Sequence, residues 1–207
     1  MMVISGSRKQ RKLVFQGNSL FNTGVNHTTN GLRYTTLGIY DNIRAVKTFA
    51  YFDYSVAGAD QVDINALIST QITGRLNQND IVVIWEGTND LAHDNALTGQ
   101  AAYNNLVTFS TAVRDQGAKL VICTAIARDL AGDAADLMTR IGDYNTLIRN
   151  NQSSICDALC DLGANANFDQ RADCANTTYY DSDKLHLVQG GQDLTISLIT
   201  TTIQSIY

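Results

Sequence analysis

The chain has 207 residues, a formal net charge of −5, and 44% hydrophobic against 17% charged residues. That length fits one domain with a sizeable core, and the composition is globular rather than disordered. The acidic balance points away from nucleic acid, whose binding leans on clustered Lys and Arg.

The one basic cluster, Arg8, Lys9, Arg11 and Lys12, reads as a solvated start. Residues 1–10 are taken as a flexible lead-in and 11–207 as a single domain. The apolar run behind the cluster, Leu13-Val14-Phe15, is too short for the ~7–15-residue core of a secretion signal. No run approaches the ~18 apolar residues of a membrane span. The expectation is a soluble protein without a visible signal peptide, cytoplasmic or else exported or virion-associated by another route.

Apolar runs of β type fall at 13–16, 49–54, 81–85, 120–124 and, more weakly, 158–162. Segments of helical period separate them. A less regular helix is expected over about 32–46. Ile64, Ile68, Ile72 and Leu76 recur every four residues and so share one helix face. Ala102, Leu106, Phe109 and Val113 mark a second such helix, and Leu137, Ile141, Tyr144 and Ile148 a third. Leu194, Leu198, Ile199, Ile203 and Ile206 mark a last one. This β-α alternation implies a parallel sheet covered by helices on both faces. In such sheets the functional loops lie at the carboxyl ends of the strands. Residues 163–183 read as a long loop, a length that often carries function.

Cys123, Cys156, Cys160 and Cys174 match neither a zinc pattern nor a dense disulfide framework. Cys156 or Cys160 could bridge to Cys174, with free thiols as the default. Proline is absent, where average usage of ~5% would give roughly ten. Turns must be built from Gly, Asn and Asp.

Four polar constellations follow these elements. Gly17-Asn18-Ser19-Leu20 comes directly after the first strand and would expose a hydroxyl on a tight turn. Alone, it reads equally as a plain turn or helix cap. Gly58 follows the second strand, where a glycine lets backbone N–H approach a substrate, with Asp60 as helix cap the competing reading. Gly87-Thr88-Asn89-Asp90 follows the third strand and offers the Asn89 amide as a donor to developing negative charge. Asp183-Lys184-Leu185-His186 precedes the last helix, which Gly191 is expected to open. A serine hydroxyl is a poor nucleophile until a base takes its proton, and a histidine oriented by a carboxylate suits neutral pH.

In order and spacing these four blocks resemble the SGNH/GDSL hydrolases, whose first block usually reads Gly-Asp-Ser-Leu. The resemblance spans nearly the whole chain. It implies a flavodoxin-like three-layer α/β/α sandwich with a five-stranded parallel sheet. It also implies a serine esterase with Ser19 as nucleophile, His186 as general base and Asp183 as its orienter. The Ser19 and Gly58 amides and the Asn89 side chain would form the oxyanion hole, and neither metal nor organic cofactor is implied. Three positions depart from the pattern. Asn18 replaces Asp, the second block keeps only its glycine, and Leu187 stands where Pro is frequent.

His27 and His93 compete for the role of base but read as loop residues, and Asp181 competes with Asp183. Trp85 and Glu86 read as strand packing. Tyr179 and Tyr180 could form a wall that stacks on a sugar ring, or simply pack. The expected substrates are short-chain esters, including acetylated carbohydrate. A lysophospholipase or thioesterase, and an idle carbohydrate-binding or structural module, are the alternatives.

Overall fold

The computed structural model describes residues 10–21, 35–92 and 96–207. In chain order its elements are β1 (Lys12–Gly17), α1 (Thr35–Arg44), β2 (Ala50–Asp53), α2 (Gln61–Ala66) and α3 (Ile68–Gln71). They continue with β3 (Ile81–Trp85), α4 (Thr88–Ala92), α5 (Gly99–Asp115), β4 (Lys119–Cys123), α6 (Leu137–Ile155), β5 (Ala158–Cys160) and α7 (Gln189–Gln204). All strand pairings are parallel, in the order β2-β1-β3-β4-β5.

Because successive strand residues point to opposite faces, the apolar runs divide between two cores. Leu13, Phe15, Ile81, Val83, Trp85, Val121 and Cys123 pack beneath α1 and α7, against Ile39, Ile43, Ile199 and Ile203. Val14, Val82, Ile84, Leu120 and Ile122 pack on the other face. There they meet Ile64 of α2, Phe109 and Val113 of α5, and Ile141, Tyr144 and Ile148 of α6. The result is three layers, α/β/α. Each such fully buried aliphatic side chain contributes on the order of 1.5–3 kcal/mol.

The chain moves from β1 outward to β2, then returns past β1 to β3. This reversal opens a crevice at the carboxyl ends of β1 and β3, where ligands of open parallel sheets bind. In the β1–β3 register Gly17 stands beside Trp85. The loops after Gly17 and after Trp85 therefore leave the sheet side by side.

Some expectations change. The four-residue apolar spacing from Ile64 to Leu76 does not make one helix. It breaks at Leu67, which caps α2 and precedes α3, and Gly74 then turns the chain at φ +68°. Ile64, Ile72 and Leu76 are still buried, so the core pattern survives the break. The fifth strand is only three residues long and passes into a 3-10 turn, Leu162–Ala164. The long loop holds a second such turn, Arg171–Ala175. The last helix starts at Gln189, two residues before Gly191. Apart from Gln10, the expected lead-in lies outside the described residues.

All four cysteines are buried free thiols. Cys123 and Cys160 are register partners on β4 and β5, so Cys160 faces a strand neighbour rather than Cys174. Among the described residues no helix is long and apolar enough to cross a membrane.

Candidate functional site

The first strand ends in a glycine because nothing larger fits. A Cβ at Gly17 would lie 2.6 Å from the Trp85 carbonyl oxygen and 2.9 Å from the Phe21 ring. Asn18, fully buried, then shapes the turn. Its Oδ1 accepts from the Leu20 amide at 2.9 Å, and its carbonyl accepts from the Phe21 amide at 3.1 Å. Between these bonds Ser19 is left half-buried, with its hydroxyl at the carboxyl end of β1.

The opposing side chains come from the other end of the chain. His186 places Nε2 2.9 Å from Ser19 Oγ and Nδ1 2.6 Å from Asp183 Oδ2. Asp183 Oδ1 accepts from the Leu185 and His186 amides, each at 2.9 Å. Partial burial pushes the Asp183 carboxyl upward, but the His186 ring and these two amides outweigh it. They hold the group below the usual aspartate value. A carboxylate against one ring nitrogen orients the other toward the serine hydroxyl.

The hairpin that carries this pair is closed at its base by an antiparallel bridge between Tyr180 and Leu187. Within it, Asp181 N–H donates to the His186 carbonyl at 2.8 Å, and Lys184 N–H to the Asp181 carbonyl at 2.9 Å. Lys184 takes φ +60°, which lets the turn reverse tightly enough for Asp183 to cap His186. The loop after β4 braces it from outside. Asp129 N–H donates to the Lys184 carbonyl at 3.0 Å, and its carboxylate meets Lys184 Nζ at 2.8 Å.

The second and third blocks are bonded to the first and to each other. Val56 N–H donates to the Gly17 carbonyl at 2.9 Å, which docks the loop of Gly58 against β1. Gly58 has φ +81°, a conformation that disfavours any side chain. Asn89, on the first turn of α4, donates one Nδ2 hydrogen to the Ala59 carbonyl at 2.7 Å. Its second Nδ2 hydrogen is not needed for that bond. Beneath them lie two buried carboxyl groups. Glu86 is pushed well above the usual glutamate value, chiefly by burial. Burial likewise raises Asp90 to about 6 while its carboxyl accepts from the Gln61 amide.

No protein-family model and no curated protein matches the sequence. Solved structures do match. A lipase/acylhydrolase from Enterococcus faecalis superposes with a TM-score of 0.70 at 17% identity, over 95% of this chain and 96% of its own. A member of the lipolytic G-D-S-L family from Veillonella parvula gives 0.72 at 13%, over 94% and 98%. A variant of an acetyl-xylooligosaccharide esterase from Geobacillus gives 0.70 at 15%, over 93% and 94%. The fold is that of the GDSL-like acylhydrolases.

On this GDSL-like fold the structure brings Ser19, His186 and Asp183 into one hydrogen-bonded chain. It sets Gly58 and Asn89 on loops bonded to each other and to β1. Asp181 bonds instead to the Ser182 amide and hydroxyl. His27 and His93 lie outside the described residues. Tyr180 cannot form a sugar wall, because it is 1% exposed, packs edge-on against Phe168 and donates its hydroxyl to the Ala127 carbonyl. Tyr179 is half-buried and also meets Phe168 edge-on.

Sequence reasoning missed Arg128 near this site and read Glu86 as strand packing. Arg128 is 3% exposed, pairs with the equally buried Asp133 at 2.8 Å, and reaches the Thr88 carbonyl at 3.3 Å. Glu86 faces Asn18. For Glu86 the signal was a charged residue directly after an apolar strand; Arg128 lies in the loop beyond β4 and carries no such mark. Among the described residues no group of three or more His, Cys, Asp or Glu is placed to hold a metal ion.

Proposed function

We propose that the chain is a member of the SGNH/GDSL hydrolases and cleaves carboxylic esters through an acyl-serine intermediate. The observation that carries this is the continuous Ser19–His186–Asp183 hydrogen-bond chain, 2.9 and 2.6 Å long at its two links. His186 Nε2 takes the Ser19 proton as Oγ attacks the ester carbonyl, and Asp183 stabilises the imidazolium that forms. Ser19 N–H, Gly58 N–H and Asn89 Nδ2 are the donors to the oxyanion. The tetrahedral intermediate collapses as His186 returns the proton to the departing alcohol. Water, activated by the same histidine, then releases the acid. No metal or organic cofactor enters this scheme.

Within that class the reading favours short acyl groups, with acetylated carbohydrate as one substrate. Polar, Asn- and Thr-rich sequence follows Ser19, and no apolar lid segment is evident in the sequence for a long chain. One fold neighbour is described as an acetyl-xylooligosaccharide esterase. The test is a panel of p-nitrophenyl esters on wild type beside Ser19→Ala. Hydrolysis of C2–C4 esters that the variant loses is expected. A preference for C8 or longer overturns the short-chain part. Failure of folded wild type to react with a fluorophosphonate probe overturns the enzyme itself.

A further inference from the structure

We propose that Glu86 is a positioning residue that ties the turn bearing Ser19 to the loop bearing Asn89, through a paired choice of Asn at 18 and Glu at 86. Its catalytic consequence rests on the ester-hydrolase reading; its geometric content does not. Glu86 is the first residue beyond β3 and is 2% exposed, and Asn18 is fully buried. Glu86 Oε1 accepts from Asn18 Nδ2 at 2.7 Å and from the Gly87 amide at 3.1 Å. One carboxyl oxygen thus gathers a donor from the nucleophile's turn and a donor from the loop that leads to Asn89.

Asn18 has both ends of its side chain committed. Its Oδ1 shapes the turn through the Leu20 amide, and its Nδ2 crosses to Glu86. An aspartate at this position could make the first bond but has no hydrogen for the second. Facing Glu86 at bond distance it would set two carboxyl groups together, which can share one proton but cannot both ionise. The departure from the usual Gly-Asp-Ser-Leu is therefore matched by a second residue 68 positions away in sequence.

The surroundings push this carboxyl upward from the ordinary glutamate value. Burial acts most strongly, and the Asp90 carboxyl on α4 and the Asp60 carboxyl capping α2 push the same way, against the Asn18 and Gly87 donors. Tyr144 of α6 lies over the Glu86 carbonyl, with its hydroxyl at 3.5 Å. Glu86 Oε2 has no hydrogen-bond partner among the described residues. The carboxyl holds the two segments together through the donors it gathers from each.

The test compares wild type with Glu86→Gln, Glu86→Leu, Asn18→Asp and the double variant Asn18→Asp/Glu86→Gln. It reads kcat and KM on p-nitrophenyl acetate, and amide exchange at Leu20 and Phe21. Glu86→Gln keeps an acceptor, so it should stay within about threefold of wild type in kcat, whereas Glu86→Leu should lose about 10–100-fold at constant KM. Glu86→Leu should also speed exchange at Leu20 and Phe21. Asn18→Asp should lose kcat similarly. The double variant should regain about tenfold, because its new side-chain amide can donate to its new carboxylate. Wild-type kcat and exchange in Glu86→Leu would overturn the proposal. If that variant does not fold, the two near-isosteric changes decide, and a double variant no better than Asn18→Asp overturns it. A wild type inert to esters and to fluorophosphonate sinks the enzyme reading alone, and exchange at Leu20 and Phe21 then decides the role of Glu86.

Discussion

Ser19 and His186 stand 2.9 Å apart, yet the protein holds them by opposite means. Ser19 follows a central strand by two residues, on a turn fixed by distant partners: Trp85 and Glu86 at the end of β3, and Val56 after β2. The histidine sits near the far end of the chain on an irregular loop. Its side chain is 25% exposed, and it is held chiefly by bonds within its own hairpin. One half of the site is an extension of the core. The other is a local turn brought up to it. Ser19 should thus keep its place as long as the sheet stands, and His186 should be displaced by changes that leave the sheet intact.

Five changes test that contrast, in falling order of effect. Ser19→Ala should lower turnover by about 10⁴–10⁶-fold with the melting temperature unchanged; a large stability loss would mean that the hydroxyl helps hold the turn. Asp183→Asn should cost about 10⁴-fold, since it disturbs the tautomer of the histidine. Asn89→Ala should cost about 10²–10³-fold in kcat, as for loss of one oxyanion donor.

The fourth change concerns pH. Asp183, on the base side, is held below its ordinary value by hydrogen bonds. Its contribution to stability is present above the unfolded aspartate range and is lost as pH falls through the lower, folded value. Asp90, on the nucleophile side, is raised by burial to about 6. Its folded form binds the proton more tightly, so stability falls as pH rises through the window from the unfolded value to that one. Across that shift wild type should lose up to roughly 3 kcal/mol relative to Asp90→Asn, read by urea unfolding at each pH. A parallel pair of curves would refute it. The smallest effect belongs to the exposed brace. Asp129→Asn should change kcat by no more than about threefold, and only at low salt.

The same contrast explains what could be read from sequence. Asp183 and His186 are three residues apart, so their pairing is a local property visible in a string of letters. The parallel sheet was equally legible, because apolar runs and four-residue spacings directly encode faces. The break at Leu67 was not, since Ile64, Ile68, Ile72 and Leu76 keep helical spacing across it and across the later turn at Gly74. Nor was the role of Glu86, whose partner is 68 residues away and is revealed only by strand register. Tyr180 misled for a related reason. Next to the last block it suggested a pocket wall, whereas its ring is spent as core beneath the hairpin.

That buried tyrosine sets how freely the molecule can be remodelled. Tyr180 pairs with Leu187, and its hydroxyl is fixed to the Ala127 carbonyl, so the hairpin is pinned where it begins. In the stretch from 169 to 177, Cys174 is buried in the same core and Arg171 meets Asp129, the brace of the hairpin, so change is open at exposed positions such as Ala172 and Ala175.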